Sequence, residues 1–280
     1  MHYIYKGIEL FKANRKQAYL ITLMYLLITT GITFVMEQLR INNGLLQIGV
    51  NIALIPLSYG LVKYFLSTTR GQFSDSDTLF SVYNDQASQS IFTNICYSIV
   101  YFAPTFVFLL ISSSIIINNI EMLSEIGTSI DAFRDQSMIE FFQATIVVLL
   151  EIVKLLAIPI ALLIPIMVYL GIKFTFVIHV VVDEEKNKYY FAALGESWDL
   201  TKKNFWKVFA IKFIYGLIGL VIGLLIMASS AYLDQGFVGR LINMIVSAVV
   251  IAYFTSMESF STTALYVDIT KGNTPKKDEN

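Results

Sequence analysis

The stretch FFQATIVVLLEIVKLLAIPIALLIPIMVYLGIKFTFVIHVVV, residues 141–182, decides the fold class of this chain. Its charged side chains are Glu151, Lys154 and Lys173, and most of the other residues are apolar. An α-helix needs about 20 apolar residues to cross the roughly 30 Å hydrocarbon core of a bilayer. A run of this length therefore predicts a membrane-spanning helix with residues to spare.

The whole chain shares this apolar character. Of its 280 residues, 56% are apolar and 15% are charged, and the mean hydropathy is +0.65. This composition excludes a disordered chain and argues against a soluble domain. The net charge of −1 provides no basic field for nucleic acid. The single cysteine, Cys96, excludes an intramolecular disulfide and a thiolate zinc cluster.

Six apolar runs reach the length that a membrane crossing needs. They are residues 18–36, 45–66, 91–117, one crossing within 141–182, 208–232 and 241–267. As one helix the fourth run would reach roughly 63 Å, so it must break, protrude or cross twice. Pro159 and Pro165 are the natural break points, because proline lacks an amide hydrogen and crowds the preceding turn. We predict an all-α polytopic bundle with six transmembrane helices in one membrane domain, residues 1–270, and a polar cytoplasmic tail, residues 271–280.

Basic residues predict the orientation of the bundle. With six crossings and an internal N-terminus, the cytoplasmic side holds Lys6, Lys12, Arg15, Lys16, Lys63, Arg70, Lys186, Lys188, Lys202, Lys203, Lys207, Lys271, Lys276 and Lys277. The other side holds only Arg40, Arg134 and Arg240. A seventh crossing would move Lys186 to Lys207 outside, against the positive-inside rule. We therefore expect a protein of the bacterial cytoplasmic membrane with both termini in the cytoplasm.

Amphipathic segments precede the first, third and fifth spans on the predicted cytoplasmic side. Their apolar residues recur every three or four positions: Ile4, Ile8 and Phe11; Phe80, Tyr83, Ala87 and Ile91; Phe191, Leu194, Trp198 and Phe205. This spacing predicts helices that lie in the membrane interface. Trp198, Phe205 and Trp206 are expected to anchor the last of them at the headgroup level.

Residues 183–209 resemble a known family. The stretch contains Asp183, Ala192-Ala193-Leu194, Ser197-Trp198-Asp199-Leu200-Thr201-Lys202 and Asn204-Phe205-Trp206-Lys207. It resembles a widespread group of bacterial six-span proteins that includes YciC-like proteins and the membrane domain attached to some glycerophosphodiester phosphodiesterases. The resemblance extends loosely over the chain, through residues 159–171 and Leu79-Phe80. It implies a membrane bundle whose members mostly lack an assigned activity, and it supplies no catalytic site.

The usual motifs of catalysis are missing from the sequence. The two histidines, His2 and His179, form no paired metal motif. The chain has no G-x-S-x-G elbow, no Walker A sequence and no Rossmann glycine pattern. We therefore expect no enzyme activity, no metal and no cofactor. In the fifth span Gly216, Gly219 and Gly223 have the small-residue spacing of close helix packing.

Ionisable residues inside apolar runs are the best pointers to function, because a charge at mid-membrane costs about 3 kcal/mol on insertion scales. Glu151 and Lys154 are three residues apart and are expected to form a structural ion pair. Lys173 and Lys212 lie near cytoplasmic ends of spans, where their long stems can reach the interface. Glu258 is predicted at roughly 14 Å from the inner end of the sixth span.

A candidate intramembrane polar site surrounds Glu258. Its expected members are Glu258, Lys212, Ser256, Ser259 and Thr262, with Lys212 as the best partner for the carboxylate. Two interpretations stay open. Glu258 either fixes helix packing through hydrogen bonds between helices, or it lines a cavity or an ion pathway.

Two function classes follow from these observations. The first is a non-catalytic multi-pass membrane protein that binds lipid or a protein partner, in an accessory role or an immunity-type role against a membrane-active peptide. The alternative is a transporter of a small solute or lipid that uses the polar cavity around Glu258. An intramembrane enzyme would need a nucleophile and a base that the sequence lacks. Membrane lipids are the expected partners, a membrane protein or peptide is a second class, and nucleic acid is not expected.

Cysteine labelling tests the predicted orientation. In a chain whose Cys96 has been replaced, a cysteine at Ser129 or Gln235 should react with an impermeant thiol reagent in intact cells. A cysteine at Thr201 should stay unlabelled, because the positive-inside rule places it in the cytoplasm. Labelling at Thr201 with silence at Ser129 would invert the orientation.

Overall fold

The computed structural model describes residues 1–40, 43–119, 138–230 and 236–271. Every regular element in these ranges is an α-helix, which confirms the predicted all-α class. The helices are α1 His2–Ala13, α2 Arg15–Gln38, α3 Gly44–Thr69, α4 Asp77–Asp85, α5 Ala87–Asn118, α6 Met138–Lys173, α7 Val177–Val182, α8 Tyr190–Lys202, α9 Phe205–Ser230 and α10 Phe237–Lys271.

Six helical segments are long and apolar enough to cross a membrane, which confirms the six predicted spans. They are Arg15–Gln38, Gly44–Thr69, Ala87–Asn118, Leu156–Val182, Phe205–Ala228 and Phe237–Lys271. The last has 35 residues, or roughly 53 Å of helix. Because the hydrocarbon core is only about 30 Å thick, part of α10 must extend beyond it.

The fourth apolar run breaks at a different place from the one predicted. Pro159 and Pro165 both lie inside the continuous helix α6. The helix instead ends at Lys173, and the chain turns through residues 174–176 before α7 begins. A proline in a helix removes one backbone hydrogen bond and crowds one turn, and here neither proline ends the helix.

The three segments predicted to precede the first, third and fifth spans are separate helices, α1, α4 and α8. They pack on other helices of the bundle. Helix α1 runs antiparallel to the last part of α10. The Tyr3 hydroxyl donates to Asp268, and the ring centres of Phe11 and Tyr253 lie 5.0 Å apart in an edge-to-face contact. Between these contacts Gly7 meets Ser261, and a Cβ at Gly7 would lie only 2.6 Å from the Ser261 amide nitrogen.

Helix α4 packs equally closely on α3. A Cβ at Gly60 would lie 2.7 Å from the Leu79 carbonyl carbon, so only glycine permits this approach. On the same helix Leu79 and Val82 are buried. Leu79 therefore lies at a close contact between the two helices.

The buried face of α8 differs in part from the predicted apolar stripe. Ala193, Leu194, Ser197, Leu200 and Thr201 are buried. Phe191 was predicted to face the same side, and it is 62% exposed. Ser197 and Thr201 are buried instead, and their hydroxyls hydrogen-bond to the nearby backbone of Lys173 and Phe176.

The chain divides into two compact units, residues 1–97 with 172–280, and residues 98–171. In the first unit the core contains Phe11, Ala18, Ile21, Leu57, Leu61, Tyr64, Phe65, Leu79 and Phe260. The core therefore joins α1, α2, α3, α4 and α10. In the second unit the Thr105 hydroxyl lies 3.6 Å from the Met167 sulfur, and an apolar groove of about 850 Å³ runs beside Pro104 and Pro159.

Two positions proposed for cysteine labelling, Ser129 and Gln235, lie outside the described residues. Thr201 is fully buried, so a cysteine there would stay unlabelled in either orientation. Lys203, two residues further on, is exposed and is the better reporter for the side that is predicted to be cytoplasmic.

Candidate functional site

The most strongly bonded charge in the described structure is Asp183, which follows α7 and is 0% exposed. Arg70 binds it with two hydrogen bonds, Nη1 to Oδ1 at 3.0 Å and Nη2 to Oδ2 at 2.8 Å. The Tyr266 hydroxyl donates to Oδ2 at 2.8 Å, and the Glu185 amide donates to Oδ1 at 3.3 Å. Four donors therefore satisfy a carboxylate that would otherwise be too costly to bury.

Further charges surround the Arg70–Asp183 pair. Glu185 lies 3.8 Å from Arg70, and the neighbouring Glu184 lies 3.3 Å from Lys63. Burial works against the charged form of Arg70, but the hydrogen bond and charge of Asp183 and the charge of Glu185 outweigh it, so the pKa of Arg70 is raised. The neighbouring carboxylates thus stabilise the charged guanidinium of Arg70.

Hydroxyl groups on α8 satisfy the backbone at the break between α6 and α7. The Ser197 hydroxyl donates to the Lys173 carbonyl at 2.9 Å and accepts the Phe176 amide at 3.1 Å. The Thr201 hydroxyl also reaches the Lys173 carbonyl, at 3.2 Å. A helix end leaves backbone groups without partners, and two residues of the family-like pattern supply them here.

A second charged cluster fixes the loop before α8. Lys186 and Lys188 both bind the Glu196 carboxylate, at 3.0 Å and 2.6 Å. Partial burial would raise the pKa of Glu196, but the two lysines lower it below its usual value. In both clusters the charges are paired with each other, so we interpret them as structural rather than ligand-binding.

Glu258 and Lys212 form the expected pair. Lys212 Nζ lies 2.7 Å from Glu258 Oε1 and joins α9 to α10. The two side chains are 40% and 33% exposed, in contrast to the buried Asp183. One turn away, the Tyr215 and Ser261 hydroxyls lie 3.0 Å apart and link the same two helices.

A cavity of about 240 Å³ opens beside this pair. It is lined by Tyr215, Gly219, Ile222, Gly223, Ile226, Ile251, Phe254, Thr255 and Glu258. The expectation of close packing at the glycines is wrong for the part of the chain that the structure describes, since a Cβ at Gly216, Gly219 or Gly223 would meet no atom of it within 4 Å. Gly219 and Gly223 instead leave room for the cavity.

The other members of the candidate polar site point in different directions. Ser256 is buried against α2, where its hydroxyl donates to Thr22 Oγ1 at 2.9 Å. Ser259 is half-buried, and Thr262 is buried without a hydrogen-bond partner for its hydroxyl among the described residues. The structure therefore gathers Glu258 and Lys212 at one place but does not assemble all five residues around one cavity.

A larger groove lies between the start of α2 and α10. It has a volume of about 720 Å³ and is lined by Arg15, Lys16, Tyr19, Val249, Val250, Tyr253 and Phe254. The Arg15 guanidinium lies 5.9 Å from the centre of the Tyr253 ring, within the range of a cation–π contact. Two cations, two tyrosines and an apolar wall thus share one groove.

The predicted interfacial anchors are in unlike environments. Trp198 is half-buried, with the Lys173 ammonium 4.8 Å from its ring centre. Phe205 is half-buried beside Phe209, and Trp206 is 75% exposed. The side chain of Glu151 lies outside the described residues, so its predicted pairing with Lys154 stays a prediction. Residues 1–40, 43–119, 138–230 and 236–271 contain no group of three or more His, Cys, Asp or Glu suited to a metal.

The sequence predicted neither the Asp183 cluster nor the basic groove. Arg15, Lys16 and Arg70 were used there only to predict the orientation in the membrane. Asp183 directly follows the apolar run of α7. A carboxylate in that position could have been predicted to be buried. Its partners, 113 and 83 residues away, leave no periodic pattern that would identify them.

A double-mutant cycle tests the pair between α9 and α10. Glu258→Gln leaves an ammonium beside an apolar cavity, so it should lower stability by up to about 1 kcal/mol, the scale of partly exposed pairs. Adding Lys212→Met should recover part of this loss. The measurement is thermal unfolding in mild detergent, with Lys203→Met as an exposed control. Strictly additive losses would exclude an energetic coupling of the two charges.

Residues 144–279 match the family model described as the membrane domain of glycerophosphoryl diester phosphodiesterase. Comparisons with curated proteins and with solved structures gave no match. The matched range covers most of α6 and all of α7 to α10, just under half of the chain. It includes Asp183 and Glu258, whereas Arg15 and Arg70 lie before it. The resemblance of residues 183–209 to this membrane domain is therefore confirmed: residues 144–279 are similar to the membrane domain of glycerophosphoryl diester phosphodiesterase.

Proposed function

We propose that this multi-pass membrane protein binds an anionic phospholipid and catalyses no reaction. The groove with Arg15 and Lys16, which we call the basic groove, is the binding site. The proposal places the protein in a bacterial cytoplasmic membrane with both termini inside, in agreement with the distribution of Lys and Arg. A protein or peptide partner is the second class of ligand.

The basic groove combines positive charge with an apolar wall, and this combination is the main support for the proposal. Phosphate is bound well by a guanidinium, through paired hydrogen bonds, and by an ammonium as a point charge. Arg15 and Lys16 supply one of each. The wall formed by Val249, Val250 and Phe254 offers acyl chains an apolar surface directly beside the cations. Basic pockets between helices on the cytoplasmic side are a recurrent way to bind lipid headgroups.

The alignment of α1 with α10 supports a location at the inner membrane boundary. Gly7 meets Ser261 and Phe11 meets Tyr253, so Glu258 lies level with this part of α1. At that level α1 carries Glu9 and Lys12, which are exposed, and exposed charges are unfavourable in hydrocarbon. On this argument Glu258 lies near the interface rather than at mid-membrane. The α10 residues of the basic groove precede Glu258 by four to nine positions, so the groove lies about one to two and a half turns further outward.

Two observations support a role without catalysis. The charges of the Asp183 and Glu196 clusters are paired with each other and present no group positioned for proton transfer. The matched family model describes a membrane domain of a phosphodiesterase, and the description assigns no reaction to that domain.

Lipid binding is tested by native mass spectrometry of the full chain, purified in mild detergent and titrated with phosphatidylglycerol or phosphatidylcholine. The unmodified protein should prefer phosphatidylglycerol. The double variant Arg15→Gln/Lys16→Gln should lose about tenfold or more in affinity, because each charged hydrogen bond contributes about 1.5–3 kcal/mol. Added salt should weaken the binding.

The control is Lys202→Gln/Lys203→Gln, which removes the same charge from exposed positions at the end of α8. Equal losses in the two double variants, or no preference for phosphatidylglycerol, would contradict the proposal. Solute or lipid flux in vesicles that depends on Glu258 would instead support the transporter alternative.

A further inference from the structure

A second groove lies between α2 and α10, at the opposite ends of these helices. It has a volume of about 440 Å³ and is lined by three threonines of α2 and by Phe34, Glu37, Arg240, Asn243 and Met244. We call it the zwitterion groove. Arg15 and Glu37 are 22 residues apart on α2, or roughly 33 Å along the helix. Glu37 and Arg240 lie within four residues of an end of their candidate spans, Arg15–Gln38 and Phe237–Lys271, so we place the zwitterion groove at the headgroup level.

Opposite charges face the zwitterion groove without neutralising each other. Among the residues that the structure describes, the side chains of Glu37, Arg240 and Asn243 make no hydrogen bond or ion pair. Glu37 and Arg240 are each three residues from one of the rings of Phe34 and Phe237, whose centres lie 5.6 Å apart in a contact between α2 and α10. A carboxylate, a guanidinium and an amide are therefore presented together and are free to bind a ligand.

The threonines add acceptors on the side of Glu37. Thr29, Thr33 and Glu37 are spaced by four residues and share one face of α2. The Thr29 and Thr33 hydroxyls donate to carbonyls of their own helix, at 3.0 Å and 3.1 Å. With the donor hydrogens used in this way, the hydroxyl oxygens offer lone pairs to the groove. One side of the groove thus accepts hydrogen bonds, and the side with Arg240 and Asn243 can donate them.

We propose that the zwitterion groove binds the phosphoethanolamine headgroup of a membrane lipid. The ammonium group would donate to Glu37 and the threonine oxygens, and the phosphate would accept from Arg240 and Asn243. A choline headgroup fits less well, because its quaternary ammonium has no N–H donor and is usually recognised by an aromatic cage. Phe34 is the only aromatic residue in the lining. Phe34 and Met244 provide the apolar boundary on which the acyl chains begin.

The test uses the full chain in mild detergent, titrated with phosphatidylethanolamine and followed by native mass spectrometry. The unmodified protein should bind this lipid saturably and more tightly than phosphatidylcholine. Glu37→Gln and Arg240→Gln should each lower the affinity about tenfold, the effect of removing one charged hydrogen-bond partner. Soluble phosphoethanolamine should compete with the lipid.

Arg40→Gln is the matched control, since Arg40 is an exposed arginine at the same end of the bundle and does not line the groove. It should leave the affinity unchanged, and all variants should melt at the temperature of the unmodified protein. Unchanged affinity in Arg240→Gln, or equal losses in Arg240→Gln and Arg40→Gln, would overturn the proposal. Binding of soluble phosphoethanolamine without binding of the lipid would overturn its assignment to a lipid. The Arg15→Gln/Lys16→Gln variant should still bind phosphatidylethanolamine, so failure at the basic groove is distinguishable from failure here.

Discussion

The buried carboxylate of Asp183 constrains how the helices of the larger unit meet. A lone buried charge is strongly unfavourable, so its partners must arrive together and in the correct geometry. Arg70 comes from the residue after α3, Tyr266 from α10, and the Glu185 amide from the turn after α7. Since one acid joins three parts of the chain, the break before α7 and the capping hydroxyls of α8 are needed to bring it there.

Helix α10 contributes residues to all three candidate sites. Its C-terminal part bonds to Asp183 and packs on α1, and the helix also contacts α2 and α9. The basic groove and the zwitterion groove lie at the two ends of its contact with α2, and the Glu258 cavity lies on its side toward α9. A shift of α10 along its axis would change all three. Polar residues in its C-terminal half accordingly bond to neighbouring helices, as Ser256 does to Thr22 and Thr263 does to His179.

Hydropathy predicted the membrane class and the six spans because lipid imposes one dominant requirement, a helix of sufficient apolar length. Charge and spacing also identified Glu258 with Lys212. The position of the break in the fourth run was predicted wrongly, because the prolines are the only helix-breaking signal in the neighbouring sequence. The actual break is stabilised by Ser197 and Thr201, which lie 21 and 28 residues further along the chain than the backbone groups they bind. The glycines of α9 were misread for a related reason. Their spacing is the same whether a partner helix approaches closely or leaves a cavity.

Asp183 joins α10 to the ends of α3 and α7, and the adjacent carboxylate of Glu184 allows a direct test of this role. Asp183 is fully buried, whereas the side chain of Glu184 is 75% exposed and reaches Lys63 at the surface. The measurement is the thermal unfolding of Asp183→Asn and Glu184→Gln in the same detergent. Asp183→Asn should destabilise the protein by about 3–5 kcal/mol, because Arg70 loses its buried counter-ion, and Glu184→Gln should cost less than about 1 kcal/mol. Equal melting temperatures of Asp183→Asn and the unmodified chain would contradict the role of Asp183 in holding these helices together.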